Sequence, residues 1–134
     1  MSVFVDTSAF YAMLDDKDAR HEQAREVLRD LADRDADVVC TNYILLESIA
    51  LLQHRLGIAA VRTLQEDIAP VVRVIWLEEE DHHAAVQTLL TAARRQLSLV
   101  DCTSFHVMRR LGIRQAFAFD QHFAEQGFEC LPHV

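Results

Sequence analysis

Four acids stand where the surrounding pattern has no need of them: Asp6, Glu47, Asp101 and Asp120. In MSVFVDTSAF the apolar run Val3, Phe4, Val5 reads as a short interior strand, yet it runs straight into Asp6 and the hydroxyls Thr7 and Ser8. A carboxylate at the mouth of a core is costly unless something pairs with it. In TNYILLESIALLQHRLG, residues 41–57, every position from Tyr43 to Leu52 is apolar or small except Glu47 and Ser48. In LSLVDCTSF, residues 97–105, Asp101 falls in the first turn of a helix beside Thr103 and Ser104. In FAFDQHFAEQGF, Asp120 follows a strand, with His122 two residues on. Gathered in one cleft, four carboxylates repel one another and cannot all ionise without counter-charge. Hard divalent cations with oxygen ligands, Mg²⁺ or Mn²⁺, supply that charge. Cations held in this way activate a water and stabilise a phosphodiester under attack.

Each acid also has a plain structural role open to it. Asp6 and Asp120 could simply cap the helices that follow. Glu47 could lie on the one wet stripe of its helix or pair with an arginine. Ser98 and Asp101, three residues apart, match a capping box. His122 could be a satisfied core histidine. What favours one shared explanation is position: two acids follow strands, one opens a helix and one projects from a largely buried helix. All four can then converge at one edge of a sheet.

The elements that must position them alternate in kind. Short β-rich runs occur at VFV, at DVVC near residue 39, at VVRVIW near 74, at AFAF near 118 and at FECL near 130. Helical spacing lies between them. Ala24, Val27, Leu28 and Leu31 mark one helical face with Asp18 as its cap, and Val61, Leu64 and Ile68 another, stopped by Pro70. Val86, Leu89, Leu90 and Ala93 mark a third, while Thr41 and Gly57 bracket the apolar helix that carries Glu47. That helix, apolar nearly all round, reads as buried. Strands separated by helices predict parallel βαβ units, hence an α/β fold with helices on both faces of a central parallel sheet. Ligands of such sheets bind outside the carboxyl ends of the strands, where Asp6 and Asp120 lie.

At 134 residues, 51% apolar and 25% charged, the chain fits one soluble domain, residues 1–134, with a core of its own. No apolar run approaches a membrane span and no basic start marks a secretory signal, which points to a cytosolic protein. The three cysteines, Cys40, Cys102 and Cys130, are widely spaced without a CxxC pair, so they read as buried free thiols rather than a zinc site or disulfide framework. A net charge of −8 argues against a surface that coats nucleic acid generally. The charge is uneven, however. Between His82 and Phe119 stand Arg94, Arg95, Arg109, Arg110 and Arg114 against the single acid Asp101. The arginines near Asp101 are candidates to hold neighbouring phosphates.

With these motifs in order, the sequence resembles a PIN domain, and specifically the small bacterial VapC-type toxins of type II toxin–antitoxin systems. The resemblance covers essentially the whole chain. It rests on VFVDTSAF, LLESIALL, LSLVDCTSF and AFAFDQHFAEQGFECL, the last being the most specific. It implies a three-layer α/β/α sandwich and a Mg²⁺-dependent endoribonuclease, with Mn²⁺ able to substitute, leaving a 3′-hydroxyl and a 5′-phosphate. Asp6, Glu47, Asp101 and Asp120 are then the catalytic acidic tetrad. Asp6 and Asp101 are the direct metal ligands, and Glu47 and Asp120 complete the site directly or through water. Thr7 or Ser8 would steady the first acid, Ser104 stands near the third, and His122 packs behind the metal shell. Arg94, Arg95, Arg109 and Arg110 are the RNA-binding candidates. The family's further acid one turn beyond the third aspartate is replaced here by Thr103, Ser104 and Phe105. A homodimer follows from the same resemblance. So does a cognate antitoxin protein whose C-terminal tail occupies the active-site groove.

Other chemistries fit less well. An aspartyl-phosphate phosphatase needs a second aspartate two residues after the first, where this chain has Ser8, and its only lysine, Lys17, is too close to the first strand. Three glycines without a GxxxxGK run exclude a P-loop. No elbow motif frames a nucleophilic serine or cysteine. The rival from another class is an RNA- or partner-binding module on the same fold with little catalysis, against which the retention of all four acids counts.

Overall fold

The computed structural model describes residues 1–133. At its centre is an all-parallel five-stranded sheet in the order β3-β2-β1-β4-β5. The strands are β1 Ser2–Val5, β2 Asp37–Thr41, β3 Arg73–Ile75, β4 Gln115–Phe117 and β5 Glu129–Leu131. Parallel strands covered on both faces read as continuous apolar runs. Val3, Phe4 and Val5 of the central strand β1 are accordingly at most 1% exposed.

From β1 the chain steps outward to β2 and β3 through α1 Thr7–Leu14, α2 His21–Asp33, α3 Asn42–Arg55 and α4 Ile58–Thr63. It then crosses back to the far side of β1, reaching β4 and β5 through α5 Glu79–Ala92, α6 Leu99–Leu111 and α7 Gln121–Glu125. Right-handed crossovers place helices reached in opposite directions on opposite faces. The result is an α/β/α sandwich. Phe4 packs 6.3 Å from Phe123 of α7, whose ring lies 5.1 Å from Phe105 of α6, and this aromatic cluster fastens the second helical layer to the sheet. Strand order reverses between β1 and β4. In open parallel sheets that reversal opens the crevice where ligands bind.

All five strands expected from the sequence form, and the local signals at α3 hold. The Thr41 hydroxyl accepts the Ile44 N–H at 3.1 Å, and Gly57 closes the helix at φ +93°, a left-handed conformation open to glycine. Other expectations need correcting. Asp18 does not cap α2: the helix starts at His21, with Arg20 in the capping position, and the Asp18 carboxylate accepts the Arg20 N–H at 2.8 Å in the preceding turn. The periodic stretch ending at Pro70 is not one helix. After α4 it widens into a π-turn over Leu64–Ile68 and tightens into a 3₁₀ turn over Ala69–Val71, which accommodates the proline at its start. Nor is α3 buried all round. Ile44, Ser48 and Leu52 face inward, but Leu46 is 70% exposed. With Trp76, also 70% exposed, and the half-buried Leu45 and Ile49, it lines an apolar groove of about 610 Å³. The cysteines are free thiols, with Cys40 and Cys102 buried and Cys130 only partly so.

Because Phe4 is fully buried between the sheet and the layer that holds Phe123, Phe4→Ala should lower unfolding free energy by about 3–5 kcal/mol. Leu90→Ala, at a 66% exposed position of α5, should change it by less than about 0.5 kcal/mol. Urea unfolding midpoints of the two variants check this contrast.

Candidate active site

Outside the carboxyl ends of β1 and β4 lies a cleft of about 510 Å³ whose lining includes Asp6, Glu47, Asp101 and Asp120. Four segments far apart in sequence deliver these acids. Three of them arrive at helix starts.

Asp6 leaves β1, its N–H donating to the Phe117 carbonyl at the end of β4 (3.0 Å), and becomes the N-cap of α1. Its Oδ2 accepts both the Ser8 N–H (3.1 Å) and the Ser8 hydroxyl (2.6 Å). The Ser8 oxygen in turn accepts the Phe119 N–H at 3.0 Å, which locks the first acid to the loop carrying Asp120. Asp101 and Ser98 form the reciprocal capping box of α6: the Ser98 hydroxyl oxygen accepts the Asp101 N–H (3.0 Å), and Asp101 Oδ2 accepts the Ser98 N–H (3.3 Å). Asp120 caps α7, its Oδ1 accepting the His122 N–H at 2.9 Å. Each of the three carboxylates thus engages one oxygen in capping. Asp6 Oδ1, Asp101 Oδ1 and Asp120 Oδ2 have no protein hydrogen-bond partner among the described residues. Capping and site roles coexist on the same side chains.

Glu47 comes from α3 instead. A buried hydroxyl chain ties that helix to α1: Ser48 donates to the Thr7 hydroxyl (3.1 Å), which donates to the Ile44 carbonyl (3.5 Å). Thr7 therefore steadies the Glu47 helix, and Ser8 steadies Asp6.

The electrostatics report crowding. Asp6 is 4% exposed, and burial raises its carboxyl from 3.8 to about 6 against the lowering effect of Ser8, with the charges of Asp101 and Asp120 adding to the rise. Burial also raises Glu47, opposed by the Thr7 hydroxyl and reinforced by Asp6 and Asp120. Asp101 is raised by burial and by Asp120. Asp101, Asp120 and His122 present ligand atoms within 4.8 Å of one another. Crowded carboxylate oxygens with capped second atoms suit a hard divalent cation, which neutralises them and prefers oxygen. His122 is 7% exposed, with Nδ1 3.3 Å from Glu125 Oε2 and Nε2 4.0 Å from Asp120 Oδ1. Burial lowers its pKa, but the Glu125 hydrogen bond and the surrounding carboxylates outweigh this and leave it raised. It stands between two carboxylates as a bracket for Asp120.

The remaining candidates fall elsewhere. Ser104 is buried and donates to the Val100 carbonyl at 3.1 Å, away from the cleft lining. Arg109 and Arg110 sit at the last turn of α6, whose first turn carries Asp101, so they do not reach the cleft. Arg109 bonds Gln126 and stacks on Phe128, and Arg110 pairs with Asp81 of α5. Arg94 pairs with Glu125 at 3.2 Å and reaches the site only through His122, and Arg95 is exposed on the loop before α6. The cationic residues that do line the cleft are Arg20 and Arg55, neither of which the charge distribution of the sequence singles out. Arg55, two turns beyond Glu47 on the same helix, could have been found from that spacing. Arg20, in the acid-rich stretch LDDKDAR, carried no local signal.

A family model described as PIN domain matches residues 3–129. Among curated proteins the chain is 38% identical over 127 residues to the 23S rRNA-specific endonuclease VapC20 of Mycobacterium tuberculosis, covering 94% of this chain and 95% of that protein. The crystal structure of Mycobacterium tuberculosis VapC20, described as a sarcin–ricin loop cleaving toxin, superposes with a TM-score of 0.83 at 36% identity, covering 94% of this chain and 95% of that one. FitAcB from Neisseria gonorrhoeae shares the fold at a TM-score of 0.69 and 14% identity, covering 97% of this chain and 96% of that one.

The crowded carboxyls carry a pH signature in buffer free of divalent cations. Asp6, raised above its ordinary value, stabilises the fold below about pH 4, and that contribution is lost as pH rises through about 6; Glu47 and Asp101, also raised, act in the same sense. For Asp6 alone the rise from 3.8 to about 6 corresponds to about 3 kcal/mol. Asp37 and Asp81 are lowered and act in the opposite sense, but only below their ordinary range. Melting temperature should therefore fall between pH 4 and 7, and Asp6→Asn should flatten much of that fall. A wild-type melting temperature that rises across this window contradicts the assignment.

Proposed function

This chain belongs to the PIN-domain family, and from that premise we propose that it is a divalent-cation-dependent endoribonuclease, the toxin of a toxin–antitoxin pair. The observation that carries the reading is the convergence of Asp6, Glu47, Asp101 and Asp120 on one cleft at the reversal of strand order. Residues 1–134 constitute one such domain. The identity to VapC20 over nearly all of both chains supports ribosomal RNA as the substrate class, with a structured loop of the sarcin–ricin type as the target.

In this reading Asp6 and Asp101 would hold the cation. Glu47 and Asp120 complete the shell directly or through water. Mg²⁺, or Mn²⁺ in its place, supplies positive charge against the phosphodiester and Lewis acidity toward water. The chain's own work is placement. Ser8 fixes the orientation of Asp6, the Ser48–Thr7 chain fixes α3 against α1, and the His122 backbone N–H holds Asp120. The cuts leave a 3′-hydroxyl and a 5′-phosphate. The exposed apolar groove of α3, with Leu46 and Trp76, supports a homodimer through that face, since patches of this kind mark protein interfaces. A separately encoded antitoxin fills the acidic cleft with its C-terminal tail, and both proteins act in the cytoplasm.

Purified protein should cut a hairpin RNA carrying the sarcin–ricin loop in Mg²⁺ or Mn²⁺ and not in EDTA. Asp6→Asn should reduce the rate by more than about 100-fold. Metal-independent binding of the hairpin without cleavage, by a folded wild type, would favour a binding module instead.

A further inference from the structure

An acidic cleft that receives RNA has an electrostatic problem a bound cation answers only at the scissile phosphate. The phosphates on either side still face Asp6, Glu47, Asp101, Asp120 and the rim acid Asp18. Among the described residues only two cationic side chains line the cleft, Arg20 and Arg55, and both are solvent-exposed. Among the described residues neither pairs with a carboxylate. Arg34, Arg62, Arg73, Arg94 and Arg110 do, with Asp30, Glu66, Asp37, Glu125 and Asp81 respectively.

Arg20 and Arg55 are instead laid over aromatic rings. The Arg20 guanidinium carbon lies 5.2 Å from the Phe119 ring centroid, and that of Arg55 lies 5.3 Å from Tyr11. Phe119 directly precedes Asp120, whereas Tyr11 sits on the helix capped by Asp6 and Arg55 on the helix of Glu47. The two cations are therefore mounted on separate elements that also carry the acids. A guanidinium seated over a ring has its long side chain ordered, and the forked N–H donors of arginine suit bidentate contact with phosphate.

We infer that Arg20 and Arg55 are the residues that position the substrate backbone, gripping RNA phosphates that flank the scissile one. This rests on the ribonuclease reading above. Phosphate contacts fix register and carry affinity rather than chemistry, so the two arginines act on binding and not on the bond-breaking step.

The test has a binding arm and a kinetic arm. Binding of fluorescein-labelled sarcin–ricin hairpin and of labelled oligouridine is measured by anisotropy against salt, in Mg²⁺, in an Asp101→Asn background that does not cleave. Arg20→Gln and Arg55→Gln should each weaken binding of both probes roughly 10-fold. Each should also make the slope of log affinity against log salt shallower by about 0.7. Arg20→Lys and Arg55→Lys keep the charge without the stacked fork, so they should retain the slope and recover part of the affinity. Arg34→Gln, at the far end of α2, should match the parent. In otherwise wild-type protein the glutamine variants should raise KM by the same factor and leave kcat unchanged. Parental affinity and slope in both glutamine variants overturn the inference, as does a fall in kcat at unchanged KM. If wild type cuts nothing while the glutamine variants still lose oligouridine binding, the grip stands and the nuclease reading falls.

Discussion

Like charges held together out of water are the constraint on which this structure turns. Asp6, Asp101 and Glu47 are each raised by burial, and each feels at least one of the other acids. A fold built for stability alone would place none of them there. The fold tolerates the cluster because three acids stand at helix starts, where unpaired backbone N–H groups and the positive end of the helix offset negative charge. Asp6 opens α1, Asp101 opens α6 and Asp120 opens α7, so the helix ends converge on the point where the acids repel. The economy lies in the oxygens: one of each carboxylate serves the helix, and the other remains for a ligand.

The same constraint explains why so many small polar groups ring the cleft. Ser8 bonds both Asp6 and the backbone beside Asp120, so the two acids are tied together. Ser48 and Thr7 supply a buried hydroxyl chain between α1 and α3 that keeps Glu47 in range. No buried side-chain nitrogen or oxygen among the described residues lacks a partner. Polar groups buried this close to a charge cluster are worth their desolvation only if each is bonded. In the proposed function, an acidic chain receives a polyanion by placing a cation at the acids and ring-mounted arginines at the rim.

Much of this was legible in the sequence, and the legible parts share a physical character. Continuous apolar runs such as Val3–Val5 announced a sheet covered on both faces, and the Ser98–Asp101 spacing announced a capping box that the structure contains. The acids were visible because each interrupts a strong local pattern. What stayed hidden depends on contacts distant in sequence. The roles of Arg20 and Arg55 follow from the rings beneath them, Phe119 and Tyr11, and no charge count shows a ring. Arg109 and Arg110 stand near Asp101 in sequence, but that nearness is distance along α6, which carries them to the opposite end of the helix from the acid. The apolarity of α3 misled in another way, because an outward-facing leucine such as Leu46 is written like an inward one.

The central claim is that four carboxylates are assembled to hold a divalent cation. Titration of Mn²⁺ into the metal-free protein, following the free-ion signal by electron paramagnetic resonance, tests it without RNA, partner or turnover. Saturable loss of the free signal in wild type, abolished in Asp6→Asn and in Asp101→Asn with the folds intact, is the predicted result. Equal Mn²⁺ uptake by wild type and both variants would contradict the account, because the acids would then be a structural cluster and the cation would sit elsewhere.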